Sequence, residues 1–122
     1  MTNSVFVDGR EWFDRVNGNS YFSARVFVDG VEVARVPFQY GYGSAFEYAA
    51  AWALQDLDVL PGMPGDGALW RLCEEAEVAL YRSMQRVTKR ECVGWGRDWD
   101  SFSVVVPGRY SRPMTDAERV SA

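Results

Sequence analysis

Three Asx-Gly dipeptides, Asp8-Gly9, Asn17-Gly18 and Asp29-Gly30, lie between runs rich in β-branched and aromatic residues, and they constrain this chain more than any other feature. Asp-Gly and Asn-Gly accept positive φ at both central positions of a two-residue turn, and that turn matches the twist of a tight hairpin. The spacing predicts strands near 3–7, 10–16, 19–28 and 31–38 in an antiparallel meander. VFVDG occurs at 5–9 and again at 26–30, which is either one hairpin design used twice or a coincidence of common residues.

The hairpin around Asp29-Gly30 can be tested by register. If Val28 and Val31 flank the turn, Val26 faces Val33, Phe22 faces Pro37 and Tyr21 faces Phe38. Side chains alternate along a strand, so Phe22, Ala24, Val26, Val28, Val31 and Val33 then share one face, with Arg25 and Glu32 diagonal neighbours on the other. The same rule applied across Asn17-Gly18 places Arg10 beside Arg25, a like-charge pairing that makes the first hairpin less clean and counts against the strand at 3–7.

PFQYGYGS follows at 37–44, where Pro37, which cannot donate to a ladder, ends it or marks an edge. Ser44 and Glu47 have capping-box spacing, which starts a helix over about 45–57. Glu47, Ala51, Gln55 and Asp58 fall on its polar side, and Phe46, Ala49, Ala50, Trp52, Ala53 and Leu57 cover the rest. PGMPGDG at 61–67 is a loop by composition. A second helix follows from near Ala68 to Ala76, with Leu69, Leu72, Cys73 and Ala76 on one face. Residues 78–88 continue a helical stripe through Leu80, Met84 and Val87 and also alternate as a strand, which Ser83, Val87 and Thr88 favour slightly, and periodicity does not settle it. SFSVVV at 101–106 reads as a strand ended by Pro107-Gly108. The fold class expected is α+β: a mostly antiparallel sheet that starts with a β-meander, with two helices packed on it. Residues 1–108 form a single domain, and 109–122 a C-terminal tail or short terminal helix.

A chain of 122 residues, 48% hydrophobic with five Trp, is long enough for one domain with a real core. Its net charge of −4 disfavours non-specific adhesion to nucleic acid or acidic lipid. Against that average, Arg82, Arg86, Lys89, Arg90 and Arg97 lie close together, opposed in that stretch only by Glu91. Such a stretch is either one directed surface or a solvated face. There is no His, which removes Ser–His and Cys–His nucleophile pairs and imidazole metal ligands. Lys89 is the only Lys. Two cysteines, Cys73 and Cys92, without a signal peptide or a bilayer-length apolar run imply a reduced, cytoplasmic protein with no membrane partner.

Residues 19–44, NSYFSARVFVDGVEVARVPFQYGYGS, resemble a segment of small uncharacterised proteins encoded by tailed bacteriophages. LWRLCEE at 69–75 and VTKRE at 87–91 are similar to later segments of the same group. The resemblance implies a short second helix followed by a strand, which favours the strand reading of 78–88. It implies a setting, the cytoplasm of a bacterial host, and no mechanism.

Three constellations bear on function. QYGYG beside a helix start offers free N–H groups to an anion, or its glycines serve only the strand-to-helix bend while Tyr40 and Tyr42 pack. ECVGWGRDWD at 91–100 is the best candidate surface site: Trp95, Arg97 and Trp99 are residue types enriched at binding hot spots, unless the Trp rings fold back onto the core. Asp98 and Asp100 lack a third ligand for a metal, and the cysteines lack metal spacing, so neither a metal nor a cofactor is expected. The leading expectation is a non-enzymatic, phage-type accessory protein that binds a host or defence protein stoichiometrically, with inhibition of a bacterial immune system as one form. The alternative is a nucleic-acid-binding module in which Arg82, Arg86, Lys89 and Arg90 contact phosphates while Trp95 or Trp99 stacks on bases. An enzyme acting on a small molecule near QYGYG ranks third.

Overall fold

The computed structural model describes residues 2–95 and the backbone of 104–105. Asp29 and Gly30 take φ of 50° and 83°, so the two-residue turn forms as its composition requires. It joins β2 (Asn19–Val28) to β3 (Val31–Tyr40). Val28 faces Val31 and Phe27 faces Glu32, as the turn dictates, but the register then shifts twice. Val26 faces Ala34 and not Val33, and Phe22 and Tyr21 face Gln39 and Tyr40 and not Pro37 and Phe38. Each shift sets one extra residue of β3 against β2, which is the count of a β-bulge. The second falls at Pro37, whose missing N–H makes a bulge the natural place for it in a sheet. In consequence Phe22, Ala24 and Val26 are buried as expected, while Ala34 and Val36 take the inward places on β3 and Val31 stays 64% exposed.

The expected break at Asp8-Gly9 does not exist. β1 (Ser4–Asp14) runs straight through it, with Asp8 opposite Arg25 and Arg10 opposite Ser23. The like-charge conflict disappears because opposite charges meet instead. Gly9 serves as a strand glycine at a close approach: a Cβ there would lie 2.8 Å from Met84 Cε and 3.0 Å from Phe46 Cδ2. Asn17-Gly18 does turn the chain, but within a loop over 15–18. The Asp14 carboxylate accepts the N–H groups of Val16 (3.0 Å) and Asn17 (3.3 Å), an Asx turn that displaces the two-residue form.

Two helices follow, α1 (Ala45–Asp56) and α2 (Leu69–Glu75), then β4 (Ala79–Arg86), α3 (Lys89–Gly94) and β5 (Val104–Val105). The sheet order is β4-β1-β2-β3-β5. β4 lies parallel to β1 and β5 parallel to β3, so parallel edges flank an antiparallel meander in an α+β fold. Residues 78–88 are therefore mainly strand, and α3 is a helix beyond the two expected. α1 and α2 close the core over one sheet face, where Val5, Val7, Phe22, Ala24, Val26, Ala34 and Val36 meet Ala50, Ala53, Leu54, Leu69 and Leu72. Val93 and Cys92 of α3 are also buried. The polar side expected on α1 is interrupted. Ala51 is buried, and Gln55, 2% exposed, donates from Nε2 to Pro61 O (3.1 Å) and Asp66 O (2.7 Å), which holds the 61–67 loop against the helix.

Ser44 precedes α1 but its side chain caps nothing, and Glu47 pairs with Arg82 at 2.6 Å instead of reaching back. The capping box stands at α3, where Thr88 Oγ1 accepts from the Glu91 N–H (3.2 Å) and Glu91 Oε1 accepts from the Thr88 N–H (3.2 Å). Ser44→Ala should therefore leave the unfolding midpoint nearly unchanged, within about 0.5 kcal/mol. Thr88→Ala should cost about 1 kcal/mol. Urea denaturation of the two variants checks the assignment, and equal costs would contradict it.

Candidate functional site

The sheet face turned away from α1 carries the chain's unusual side chains. Alternation puts Phe6, Asp8, Arg10 and Trp12 of β1 there, opposite Phe27, Arg25, Ser23 and Tyr21 of β2. β3 adds Glu32, Arg35, Phe38 and Tyr40.

At one end Phe6 and Phe27 stack at 5.6 Å between centroids, with the Arg25 guanidinium 5.5 Å from the Phe27 ring. Glu32 accepts from Arg25 (2.6 and 3.0 Å) and from Arg35 (2.7 Å). Burial pushes the Glu32 carboxyl up, and the two guanidinium partners outweigh it and hold the group below its ordinary value. A lowered folded-state pKa contributes stability above the ordinary value of 4.5, and that stability is lost as pH falls through the folded value. Unfolding midpoints taken from neutral pH downward should drop less steeply below that point in Glu32→Gln, from a lower starting stability; parallel curves would contradict the assignment. Asp8 behaves oppositely, since desolvation raises it despite Arg10 and Arg25.

In the middle, α3 is pinned to this face. Ser23 Oγ, fully buried, donates to Cys92 O at 2.6 Å, Cys92 Sγ donates to Arg10 O at 3.3 Å, and Arg10 Nη1 donates to Glu91 O at 3.0 Å. Burial raises both thiols, Cys92 to about 11, so neither is poised as a thiolate nucleophile. Trp95 closes the helix over the sheet, its ring 3.9 Å from the Arg10 guanidinium and 5.4 Å from that of Arg25.

At the other end five rings run together. Trp12 and Tyr21 lie 5.6 Å apart, Tyr21 and Phe38 stack at 5.1 Å with planes 8° apart, Tyr40 meets Tyr21 edge-on at 5.9 Å, and Tyr42 meets Tyr40 at 6.5 Å. Lys89 Nζ stands 5.4 Å from the Trp12 ring. Trp12, Tyr21 and Phe38 are half-buried, Tyr40 is 37% exposed and Tyr42 70%. The stripe presents broad amphipathic rings on a rigid strand framework, which suits contact with another surface.

The residues expected to form a site are distributed as follows. Tyr40 and Tyr42 belong to the stripe. Trp95 is half-buried on Arg10 at the end of a helix, not offered on an adaptable loop. Arg97, Trp99, Asp98 and Asp100 lie outside the described residues. Arg82 and Arg86 point to the α1 side of β4, where Arg82 meets Glu47 and Arg86 Nε lies 3.8 Å from Glu11, while Lys89 and Arg90 belong to α3 on the other face. The basic stretch is therefore split by the sheet. In QYGYG and the helix start after it, Tyr42 O and Ser44 O accept the N–H groups of Ala45, Glu47 and Tyr48, so those three are not free to hold an anion. Trp12, Tyr21 and Phe38 are the members that site reasoning missed. Part of the signal was legible: Tyr21 and Phe38, expected as direct partners, meet as diagonal ones, while Trp12, in the strand expected over 10–16, faces Tyr21 only because the 15–18 loop replaces a two-residue turn at Asn17-Gly18.

Among the described residues no group of three His, Cys, Asp or Glu is placed to hold a metal ion, and no helix is long and apolar enough to cross a membrane. No protein-family model, curated protein or solved structure matches this chain.

Proposed function

We propose that this is a non-enzymatic binding protein that engages a protein partner stoichiometrically through the aromatic stripe Trp12–Tyr21–Phe38–Tyr40–Tyr42. The observation that carries the reading is the stripe itself: five rings in mutual contact on one sheet face, ending in an exposed Tyr42. Tyr and Trp are the residue types that dominate interface energetics, and rings held by their neighbours lose little freedom on binding. The resemblance of residues 19–44 to tailed-phage proteins supports the setting: a phage accessory protein working in the host bacterial cytoplasm on host or defence machinery, for which inhibition is the simplest stoichiometric action.

One observation favours a second reading. Lys89 beside Trp12 sets a cation at the end of a row of rings, the pairing that single-stranded nucleic acid uses for phosphate and base. In this reading Lys89 and Arg90 take the phosphate role and Arg82 and Arg86, on the other face, do not.

Affinity capture from a bacterial lysate, with and without nuclease, separates the two. Recovery of one protein in a fixed ratio, unchanged by nuclease, is the expected result. Recovery that nuclease abolishes moves the assignment to nucleic acid, and recovery of neither overturns both.

A further inference from the structure

β4 forms one edge of the sheet, and among the described residues only β1 pairs with it. The direction of its backbone groups is fixed by two bonds. Ala79 N–H donates to Asn3 O (3.0 Å) and Val87 N–H donates to Glu11 O (2.8 Å), so odd-numbered residues of this strand turn their N–H groups inward. In a ladder the alternate residues turn outward, which sets the N–H and C=O groups of Leu80, Arg82, Met84 and Arg86 along the open edge. The side chains of the same four residues lie on the α1 side of the sheet, in register with Val5, Val7, Gly9 and Glu11. A run of outward backbone groups is a template for one more strand.

Charge selects the occupant. Arg82 and Arg86 stand four residues apart, about 13 Å along the strand. The Arg86 side chain is 87% exposed, and Arg82, although held by Glu47, is 52% exposed. Leu80 and Met84 lie between and beside them. A second copy of this chain fits poorly. Pairing β4 with itself about Met84 sets Arg82 of each copy against Arg86 of the other, pairing about Arg82 sets the two Arg82 side chains together, and pairing about Ser83 leaves each Arg82 diagonal to Arg82 and Arg86 of the other copy; like charges across strands are destabilising. We infer that the β4 edge is a strand-addition site for an extended acidic segment of another protein, with carboxylates four residues apart facing Arg82 and Arg86 and an apolar residue between them facing Met84. This site is separate from the aromatic stripe, and its test does not depend on that reading.

The probe is the peptide TVEVVTEVT, whose two glutamates keep the same spacing in either strand direction, with TVKVVTKVT as its charge-reversed counterpart. Amide exchange and fluorescence anisotropy are read on the full chain. In the free protein the amides of Leu80, Arg82, Met84 and Arg86 should exchange fast while those of Tyr81, Ser83 and Gln85 exchange slowly. The acidic peptide at about 1 mM, a weak-binding concentration, should slow those four amides selectively, and the lysine peptide should not. Arg86→Glu, at an exposed position, should weaken the acidic peptide about tenfold by exchanging an attraction for a repulsion. Four amides already slow at every protein concentration would mean that the chain covers its own edge. Protection that grows with protein concentration alone would assign the edge to a second copy. Equal binding of the two peptides, or no protection by the acidic one, would show that the edge does not select acidic strands. Each of these results overturns the inference.

Discussion

Gly41→Ala is expected to lower stability by about 1–3 kcal/mol, although alanine in place of glycine reduces the entropy lost on folding. Gly41 follows the last residue of β3 and its φ is not in the left-handed region, so backbone conformation is not the obstacle. Space is. A Cβ there would lie 2.5 Å from Phe22 Cε1 and 2.9 Å from both Phe22 Cδ1 and Ala45 Cβ. Phe22 is buried in the core, and Ala45 opens α1, so its Cβ moves only with the helix. Either the ring leaves its place or α1 shifts from the sheet, and close-packed interiors resist both. Gly94→Ala is the matching control. Among the described residues nothing lies within 4 Å of a Cβ at Gly94, inside α3, so that change should be neutral or slightly stabilising. Denaturation midpoints of the two variants check the account. A neutral Gly41→Ala would show that the QYGYG segment is not a tight strand-to-helix junction.

Local chemistry made much of this fold legible. Asp29-Gly30 is read correctly because both residues meet the conformational demand of the turn and nothing distant competes. α1 and α2 are legible from apolar spacing, and the strand at β4 follows once the resemblance is weighed against an undecided periodicity. Asp8-Gly9 misleads because the same dipeptide suits a turn and a crowded strand. Which one forms is decided by Arg25 across the ladder and by Met84 and Phe46 above the glycine, all distant in sequence. The two bulges in β3 are invisible to a rule that counts from the turn, although Pro37 marks the second. Ser44 and Glu47 have capping spacing, but Glu47 has a better partner in Arg82, brought close only when β4 joins β1. Thr88 and Glu91 have the same spacing and no such competitor.

The site was half legible for a related reason. Tyr40 and Tyr42 stand out from local composition. Trp12 joins them only through the β1–β2 register, which sets it against Tyr21. The basic residues cluster in sequence but part in space, because the chain passes from an edge strand to a helix on the opposite face between Arg86 and Lys89. Proximity along the chain was a poor guide to a shared surface there.

The most direct test of the binding surface compares two tyrosines of similar exposure on opposite sides of the sheet. Tyr42 ends the aromatic stripe and is 70% exposed, and Tyr48, 56% exposed, lies on α1 over the other face. Both substitutions to alanine should leave stability within about 0.5 kcal/mol, as expected for exposed side chains. If the stripe is the contact surface, Tyr42→Ala should weaken the partner complex by about 2 kcal/mol, roughly thirtyfold in Kd, and Tyr48→Ala should leave it unchanged. Kd values measured for the wild-type chain and the two variants against the captured partner give the answer. A thirtyfold loss confined to Tyr42→Ala is the predicted result; equal losses, or a loss confined to Tyr48→Ala, would contradict the assignment of binding to this face.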